Sequence, residues 1–351
     1  LEKCFAVVDY HLPSEAELYQ IQTEIGSVVS VHPNEASSNA AKGLTSMEAE
    51  AAFALSLVQT GDFCVESVNQ LKAGMLRKTG LLEYWQPADI TEVGGLGRFK
   101  EYLYKRSNAL LSQTSSLPKP KGILLAGIPG TGKSLSCKAA ASILGWPLIR
   151  LDIGALKGSL VGESEQKMRQ ATRVIEAFGQ CVIWLDEVEK AFAGSSARQS
   201  TDSGTSAGMF SHWLTWLQET TAPILVMATA NDVQSLPPEF LRTGRFDATF
   251  FVDLPVQTER EAIVAIMNAK YGSEIPPEYA RTSLEGYTGA EIEQLAKDSL
   301  FDGIEALNDL VPISRTMKEE IDTLRKWAKS RARLANDRED QGNIRQIREV
   351  G

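Results

Sequence analysis

The residues with the most specific chemistry lie between Gly127 and Ser134, which read Gly-Ile-Pro-Gly-Thr-Gly-Lys-Ser. Closely spaced glycines let a backbone bend so that successive N–H groups point at phosphate oxygens, and a helix starting near Thr131 adds its positive end. Lys133 can reach the β- and γ-phosphates, and the Ser134 hydroxyl can bind Mg²⁺. The segment therefore predicts a site for a nucleoside triphosphate and Mg²⁺.

Two elements must position this loop. Gly122 to Ala126 ahead of it is apolar and predicts a buried strand, whereas Leu135 to Leu144 behind it predicts a helix. A strand, a glycine-rich loop and a helix in that order are the context that phosphate binding requires. The alternative is a glycine-rich turn that matches by chance, and the two flanking elements make it the weaker interpretation.

A second apolar run, Cys181 to Leu185, ends in Asp186 and Glu187. The carboxyl ends of parallel strands are where α/β folds place their ligands. Asp186 is predicted to hold Mg²⁺ through water, and Glu187 to orient and polarise the water that attacks the γ-phosphorus. A solvated acidic strand end is the alternative, which the preceding loop disfavours.

Two further segments carry polar groups that fit the same reaction. The apolar run Ile224 to Ala230 ends in Asn231, predicted to lie between the attacking water and the γ-phosphate, although such an asparagine is usually a turn former. Downstream, Arg242 and Arg245 flank a Thr-Gly turn. A guanidinium inserted into a neighbouring subunit's site can neutralise charge developing on the γ-phosphate. Surface salt bridges are the alternative for the arginines.

Composition narrows the class of protein. The 351 residues allow two or three compact units, and the net charge of −9 disfavours a nucleic-acid-binding surface as the main function. Apolar runs are strand-sized, so no membrane span is predicted. The four cysteines are far apart and the three histidines lack metal-ligand spacing, which favours a reducing compartment and no zinc. The first residue is Leu1, so we expect the chain to be part of a longer protein.

From about Thr91 to Ala335 the chain resembles the AAA family of ring ATPases, because the four motifs above occur in order at family-like spacings. Within that family it is similar to the group encoded in cyanobacterial and chloroplast genomes, through Val161 to Glu165, residues 202–205 and Phe210 to Trp216. The resemblance implies a doubly wound α/β core with a parallel sheet, followed by an all-helical lid. It also implies ATP and Mg²⁺ as cofactors, a homo-oligomeric ring, usually of six copies, and an unidentified protein client. The implied compartment is the cytoplasm, or the plastid stroma for a chloroplast-encoded protein.

The resemblance also assigns roles to particular residues. Adenine would contact the backbone of Glu92, Val93 and Gly94, and Gly289 and Ala290 would approach the phosphates from the lid. Arg242 and Arg245 would act on the next subunit's nucleotide, and Ser134 and Asp186 would hold the metal. The catalytic set would be Lys133, Glu187, Asn231 and the two arginines. The phosphates would be bound by residues of the loop and the first turn of its helix: Pro129, Gly130, Thr131, Gly132, Lys133, Ser134 and Leu135.

Three features depart from the family pattern or stay open. The substrate-gripping loop has Leu160 where an aromatic residue is frequent, which predicts weaker threading of a polypeptide. Met267 stands where a lid histidine often flanks the ribose, which predicts softer nucleotide binding. The Gly/Ser-rich segment 193–205 is predicted to be mobile, as either a second pore loop or a plain connector.

The N-terminal part echoes the lid. Val8 to Leu18 resembles Val252 to Ala262, and Gly43 to Glu50 resembles Gly286 to Glu293, with a Thr-x-x-Glu capping box in both later segments. We therefore predict three parts: residues 1–85, the lid of a preceding, truncated AAA-like module; 86–254, the ATPase core; and 255–351, the lid and a C-terminal helix over 317–336. Two unrelated capped helices are the alternative to a repeat.

Three functions from different classes compete. The first is an ATP-driven enzyme that remodels a protein partner, favoured by the intact catalytic set. The second is a nucleotide-dependent assembly switch or scaffold with little threading, favoured by Leu160. The third is a nucleic-acid motor, disfavoured by the net charge. We predict the first.

Overall fold

A central sheet of seven strands organises the core of the protein. The computed structural model describes residues 12–78, 80–111, 117–156, 163–191, 212–237, 240, 245–303, 305–306 and 310–337. In chain order the strands are β1 (Leu82–Trp85), β2 (Gly122–Gly127), β3 (Leu148–Leu151), β4 (Cys181–Leu185), β5 (Ile224–Ala230), β6 (Ala248–Val252) and β7 (Arg333–Leu334). Their spatial order is β1-β3-β4-β5-β2-β6-β7, with only β1 antiparallel to its neighbour in the described sheet.

Helices cover both faces of this sheet. They are α5 (Gly97–Leu111), α6 (Lys133–Leu144), the short α7 (Ile153–Leu156), α8 (Glu163–Phe178) and α9 (212–219). Successive residues of β2 alternate between two separate apolar clusters: Leu124 packs with α8 and α9, whereas Ile123 and Leu125 pack with α5 and α6. Burial on both faces explains why the central strands are continuous apolar runs. This architecture confirms the predicted doubly wound α/β core.

Four helices precede the core and form a unit with its own apolar cluster. They are α1 (Glu15–Val29), α2 (Glu35–Ala40), α3 (Ser46–Thr60) and α4 (Val65–Lys78). Leu18, Phe53 and Phe63 lie in its interior, and the two phenylalanine rings meet edge to face at 5.8 Å. We refer to α1–α4 as the N-terminal helical unit.

A second helical unit follows the core, and we call it the lid. It consists of α10 (Gln257–Tyr271), α11 (Pro277–Arg281), α12 (Gly289–Asp302), α13 (Ile313–Thr316) and α14 (Lys318–Arg331). Ile263, Leu284 and Leu295 contribute to its apolar cluster. An all-helical unit therefore follows the parallel sheet, as predicted.

The two helical units share a local plan. Each begins with a 15-residue helix, continues with a short one, and then has a glycine with φ near +85° ahead of a capped third helix. Gly43 precedes the reciprocal capping box of Thr45 and Glu48, and Gly286 precedes that of Thr288 and Glu291. The shared plan supports a repeat. That the N-terminal helical unit is the lid of a preceding module stays a prediction, as do the three domain boundaries.

The N-terminal helical unit packs against the C-terminal end of α8. The buried Lys72 ammonium donates hydrogen bonds to the carbonyl oxygens of Ala40 (2.8 Å), Lys42 (2.5 Å) and Phe178 (2.9 Å). Burial lowers the pKa of Lys72 to about 8. At Gly43 a Cβ would lie 1.5 Å from the Ala177 carbonyl oxygen, so only glycine permits this approach of the two backbones.

The junction between core and lid centres on a buried carboxylate. Glu259, 1% exposed, accepts hydrogen bonds from the backbone N–H groups of Leu96 (2.7 Å) and Asp337 (2.9 Å) and from the Asn336 side chain (2.7 Å). Leu96 is far in sequence from Asn336 and Asp337, which are adjacent to each other. The carboxylate therefore joins the start of α5, the start of α10 and the segment that follows β7.

The C-terminal helix is shorter than predicted. Instead of running over 317–336, α14 covers Lys318–Arg331, and Ala332 has extended dihedral angles. The chain leaves the helix there because β7 pairs in parallel with β6, matching Leu334 to Phe251. Leu160, Arg242 and residues 193–205 lie outside the described residues. None of the helices described is both long and apolar enough to cross a membrane.

Candidate nucleotide-binding site

The glycine-rich loop connects β2 to α6 at the carboxyl edge of the sheet. Gly130 has a φ of +77°, and a Cβ there would lie 3.0 Å from the Thr288 hydroxyl. The Gly130 carbonyl oxygen accepts a 3.0 Å hydrogen bond from the Ala290 N–H. The helix α6 begins at Lys133 without a side-chain cap. Loop, uncapped helix and the start of α12 therefore converge, and the predicted lid residues Gly289 and Ala290 do lie beside the loop.

Lys133 is the charged residue of this loop, and it is only 6% exposed. Its Nζ donates to the carbonyl oxygens of Gly127 (2.9 Å) and Ile128 (2.6 Å). Burial lowers the pKa of Lys133 to about 8, against the opposing effect of the nearby carboxylates of Glu189, Asp186 and Glu187. The ammonium is thus held in the loop, where phosphate oxygens can replace carbonyl oxygens as its acceptors.

This lowered pKa predicts that ATP binding depends on pH. The triphosphate favours the charged ammonium, so binding raises the pKa of Lys133. At a pH where the lysine of the free protein is deprotonated, ATP binding is therefore accompanied by uptake of a proton. Affinity should be constant below about pH 7 and fall as pH rises through 8, by up to about tenfold per unit. Titration calorimetry from pH 7 to about 9.5, in buffers of different ionisation heat, measures both effects. A flat affinity without proton uptake would contradict the buried, charged role of Lys133.

Ser134 and Asp186 meet at the position predicted for a metal. Ser134 Oγ donates to Asp186 Oδ1 at 2.8 Å, and a second hydroxyl, that of Thr229, donates to the same oxygen at 2.7 Å. A hydroxyl and a carboxylate are the hard oxygen ligands that Mg²⁺ takes together with substrate phosphates. The donor set therefore fits the predicted ion.

Glu187 has an unusual backbone and a fully engaged side chain. Its φ of +50° lies in the left-handed region, and its N–H donates to Thr229 Oγ1 at 2.9 Å. Asn231 Nδ2 donates to Glu187 Oε1 at 2.9 Å, and the Lys190 ammonium pairs with Oε2. Glu187 and Asn231, which the sequence assigned to the same attacking water, are thus in direct contact.

Glu189 is a third acidic residue of this edge. It is 8% exposed, and its Oε1 accepts the Asn231 N–H at 3.0 Å, whereas Oε2 has no hydrogen-bond partner among the described residues. Burial raises the pKa of the Glu189 carboxyl. The hydrogen bond from the Asn231 N–H fixes the backbone of Asn231 against Glu189.

Thr229, Glu189 and Lys190 are site residues that the sequence reasoning did not identify. The spacing offered a partial signal: Thr229 is two residues before Asn231, the separation that places two residues of an extended chain on the same side. Glu189 and Lys190 follow Glu187 within one turn of the 3-10 helix Val188–Ala191, which brings their side chains back to the same edge.

The residues predicted to contact adenine lie between core and lid. Glu92 ends the 3-10 turn Ile90–Glu92, Val93 is buried in the core, and its carbonyl oxygen accepts a 2.5 Å hydrogen bond from Lys100. A Cβ on Gly94 would lie 2.6 Å from Ile263 Cγ1 of α10. The backbone here is closely packed against the lid, and its contact with adenine stays a prediction.

Two further positions from the sequence analysis, Met267 and Arg245, belong to other elements. Met267 is buried in the apolar cluster of the lid, alongside Ile263. Arg245 stands just before β6, and its Nη1 is buried without a hydrogen-bond partner in the part of the chain that the structure describes. Its partner Arg242 lies outside those residues. The finger role of both arginines stays a prediction.

A cavity of about 500 Å³ opens beside the loop. The core side of the cavity is lined by Pro129, Asn231, Asp232 and Gln234. The lid side is lined by Met317 and by the first two turns of α14, including Glu320 and Leu324. The cavity therefore reaches the end of the site where Asn231 and Glu187 meet.

Comparison with known proteins identifies the family. Residues 123–254 match the family described as "ATPase family associated with various cellular activities (AAA)". The chain is similar to "Uncharacterized AAA domain-containing protein ycf46" of Pyropia yezoensis, with 42% identity over 285 residues, or 76% of this chain and 58% of the relative. The protein of the same name from Guillardia theta is 34% identical over 363 residues, or 96% of this chain and 71% of the relative.

The sheet and helices also resemble solved structures. The FIGL-1 AAA domain matches 75% of this chain with a TM-score of 0.59 and 22% sequence identity. A second structure of that domain, in complex with ADP, matches with a TM-score of 0.54. At this identity the likeness shows the fold, and it agrees with the family match. The chain spans 58% of one curated relative and 71% of another. The predicted family membership is confirmed: the chain belongs to the AAA family of ATPases and, within it, with the ycf46 proteins of algal plastid genomes.

Proposed function

We propose that this protein is an Mg²⁺-dependent ATPase that works as a ring and remodels a protein partner. The observation that carries the proposal is the convergence of Lys133, Ser134, Asp186, Glu187 and Asn231 at one edge of the sheet. Ser134 donates to Asp186 at 2.8 Å, and Asn231 donates to Glu187 at 2.9 Å. These are the groups that phosphoryl transfer to water requires: anion binding, metal ligation and a positioned base.

Binding would use the loop and the start of α6. The N–H groups of the loop and the helix dipole would bind the β- and γ-phosphates, and Lys133 would add a full positive charge. Ser134 and Asp186 would hold Mg²⁺, which supplies charge neutralisation across the phosphate oxygens. Glu92, Val93 and Gly94 would receive adenine on one side, and Gly289 and Ala290 would close on the phosphates from the other.

Hydrolysis would depend on the Glu187 carboxylate. It would accept a proton from the attacking water, and Asn231, already donating to Oε1, would hold the carboxylate and the water in line with the γ-phosphorus. The Lys190 ammonium engages the other oxygen. Residues of one subunit thus supply the base and its orientation.

The remaining charge would come from a neighbouring subunit. Arg242 and Arg245 would reach the γ-phosphate in trans, which requires a ring, of six copies in our proposal. Family membership supports this arrangement. Turnover would then require assembly.

Mixing two inactive variants tests the trans arrangement. Arg245→Ala should retain a competent loop, and Lys133→Ala should retain a competent arginine, so an equimolar mixture should regain part of the wild-type ATP turnover. Each variant alone should be at least about tenfold slower than wild type. Turnover per subunit should rise with protein concentration in step with sedimentation in ATP and Mg²⁺. A mixture no faster than its components would contradict a finger acting in trans.

A nucleotide-dependent switch or scaffold is the second candidate function. Leu160, in place of an aromatic residue, favours it because a smaller side chain grips a polypeptide more weakly. A partner protein that accelerates turnover would support remodelling, whereas partner binding that follows ATP occupancy without acceleration would support the switch. The net charge of −9 disfavours nucleic acid as the partner. The algal plastid relatives support the stroma, rather than the cytoplasm, as the compartment.

A further inference from the structure

One buried hydroxyl links the two acidic residues of the site. Thr229 lies in β5, is 1% exposed, and uses Oγ1 twice: it donates to Asp186 Oδ1 at 2.7 Å and accepts the Glu187 N–H at 2.9 Å. The strand register explains the meeting, because Leu185 of β4 pairs with Ala228, the residue before Thr229. The hydroxyl therefore stands where β4 ends and the acidic pair begins.

The first of these hydrogen bonds fixes the Asp186 carboxylate. Two hydroxyls, from Ser134 and Thr229, donate to the same oxygen at 2.8 and 2.7 Å. Ser134 is itself a proposed metal ligand, whereas Thr229 is buried in the strand and belongs to the rigid part of the sheet. Thr229 is therefore the donor that orients Asp186 before a metal arrives.

The second hydrogen bond stabilises a strained backbone. Glu187 has a φ of +50°, a conformation that residues with a Cβ adopt rarely. Its N–H has Thr229 Oγ1 as acceptor, and an unpaired N–H at this partly buried position would add a cost of its own. The direction in which the Glu187 side chain leaves the backbone, toward Asn231, depends on this conformation.

We propose that Thr229 is a positioning residue for both halves of the reaction: its hydroxyl orients Asp186 for Mg²⁺ and holds Glu187 in the conformation that presents its carboxylate. This inference rests on the proposed ATPase function. Thr229 contacts the backbone of Glu187, and Asn231, which directly follows β5, contacts its side chain. Thr229 touches neither nucleotide nor water in this scheme.

Exchange of the hydroxyl for a methyl group tests the proposal. Thr229→Val keeps the β-branched shape, leaves Asp186 Oδ1 with one donor and leaves the Glu187 N–H without its acceptor. We expect turnover to fall at least about tenfold, as when a preorganising hydrogen bond is lost. The Mg²⁺ concentration that gives half of the metal-induced gain in affinity for a fluorescent ATP analogue should rise at least about threefold. ATP affinity in EDTA should stay within about twofold, because Lys133 and the loop are unchanged.

Two further variants separate the hydroxyl from the packing. Thr229→Ser restores the hydroxyl and should recover most of the turnover and the wild-type Mg²⁺ requirement. Thr229→Ala removes the hydroxyl with less bulk and should behave as Thr229→Val does, so a folding defect of one variant, seen by thermal melting, does not decide the result. Equal losses in the serine and valine variants, or a wild-type Mg²⁺ requirement in valine and alanine, would overturn the proposal. Failure of the ATPase function itself would look different: the wild-type protein would not bind the analogue.

Discussion

Lys133→Ala should abolish ATP binding, with an affinity loss of at least about 100-fold, or about 2.7 kcal/mol. The lysine supplies the one full positive charge that the loop itself brings to the phosphates, and its ammonium is already desolvated and held by the Gly127 and Ile128 carbonyl oxygens. Little binding energy is then spent on ordering the side chain, so most of its attraction to the triphosphate appears as affinity. Titration of a fluorescent ATP analogue, or calorimetry, measures the change.

The same helix offers a matched control. Lys138 lies in α6 only five residues later, but its ammonium packs over the rings of Trp85 (4.6 Å) and Trp184 (5.2 Å). Lys138→Ala removes an equal charge from the same helix and should leave ATP affinity within about twofold. Equal losses in both variants would reduce the effect to net charge, and an unchanged affinity in Lys133→Ala would refute the loop as the phosphate site.

Local sequence was sufficient for the parts of the site that local geometry builds. The loop follows from glycines whose positive φ angles no other residue adopts easily, such as Gly130 and Gly132, and the central strands follow from apolar runs buried on both faces. Asp186, Glu187 and Asn231 were then placed at one edge, because they follow strands of a parallel sheet and the carboxyl ends of such strands share an edge. These features needed no knowledge of which strand pairs with which.

Contacts between distant segments were not predictable in the same way. Thr229 looks like an ordinary β-branched strand residue, and only the pairing of β4 with β5 places its hydroxyl between the Asp186 carboxylate and the Glu187 N–H. Likewise, the spacing of apolar residues predicted that the last helix extends to residue 336. The pairing of β7 with β6, and the hydrogen bonds of Glu259 with Asn336 and the Asp337 N–H, override that local preference. From sequence alone Glu259 is expected to be a surface residue, because its hydrogen-bond donors lie far away along the chain.

Glu187→Gln should separate binding from hydrolysis. Glutamine keeps the shape of the side chain and can still accept the Asn231 hydrogen bond, but it carries no charge and cannot take a proton from water. Turnover should fall by about 10²–10⁴-fold, the range that a general base contributes, while ATP affinity stays within a few fold. Single-turnover hydrolysis measured beside ATP affinity tests both, and the ATP-bound variant should populate the assembled ring in sedimentation.

The control for that experiment must remove the same kind of group elsewhere. Glu163 forms an ion pair with Lys167 in α8 and has a side chain 35% exposed, against 33% for Glu187 with Lys190. Glu163→Gln deletes an equivalent ion-paired carboxylate outside the site and should hydrolyse ATP at a rate within about twofold of wild type. If Glu187→Gln were equally active, the contact with Asn231 would be structural rather than catalytic. If instead both variants lost ATP affinity together, the loss would trace to the fold, since neither carboxylate is proposed to bind the nucleotide.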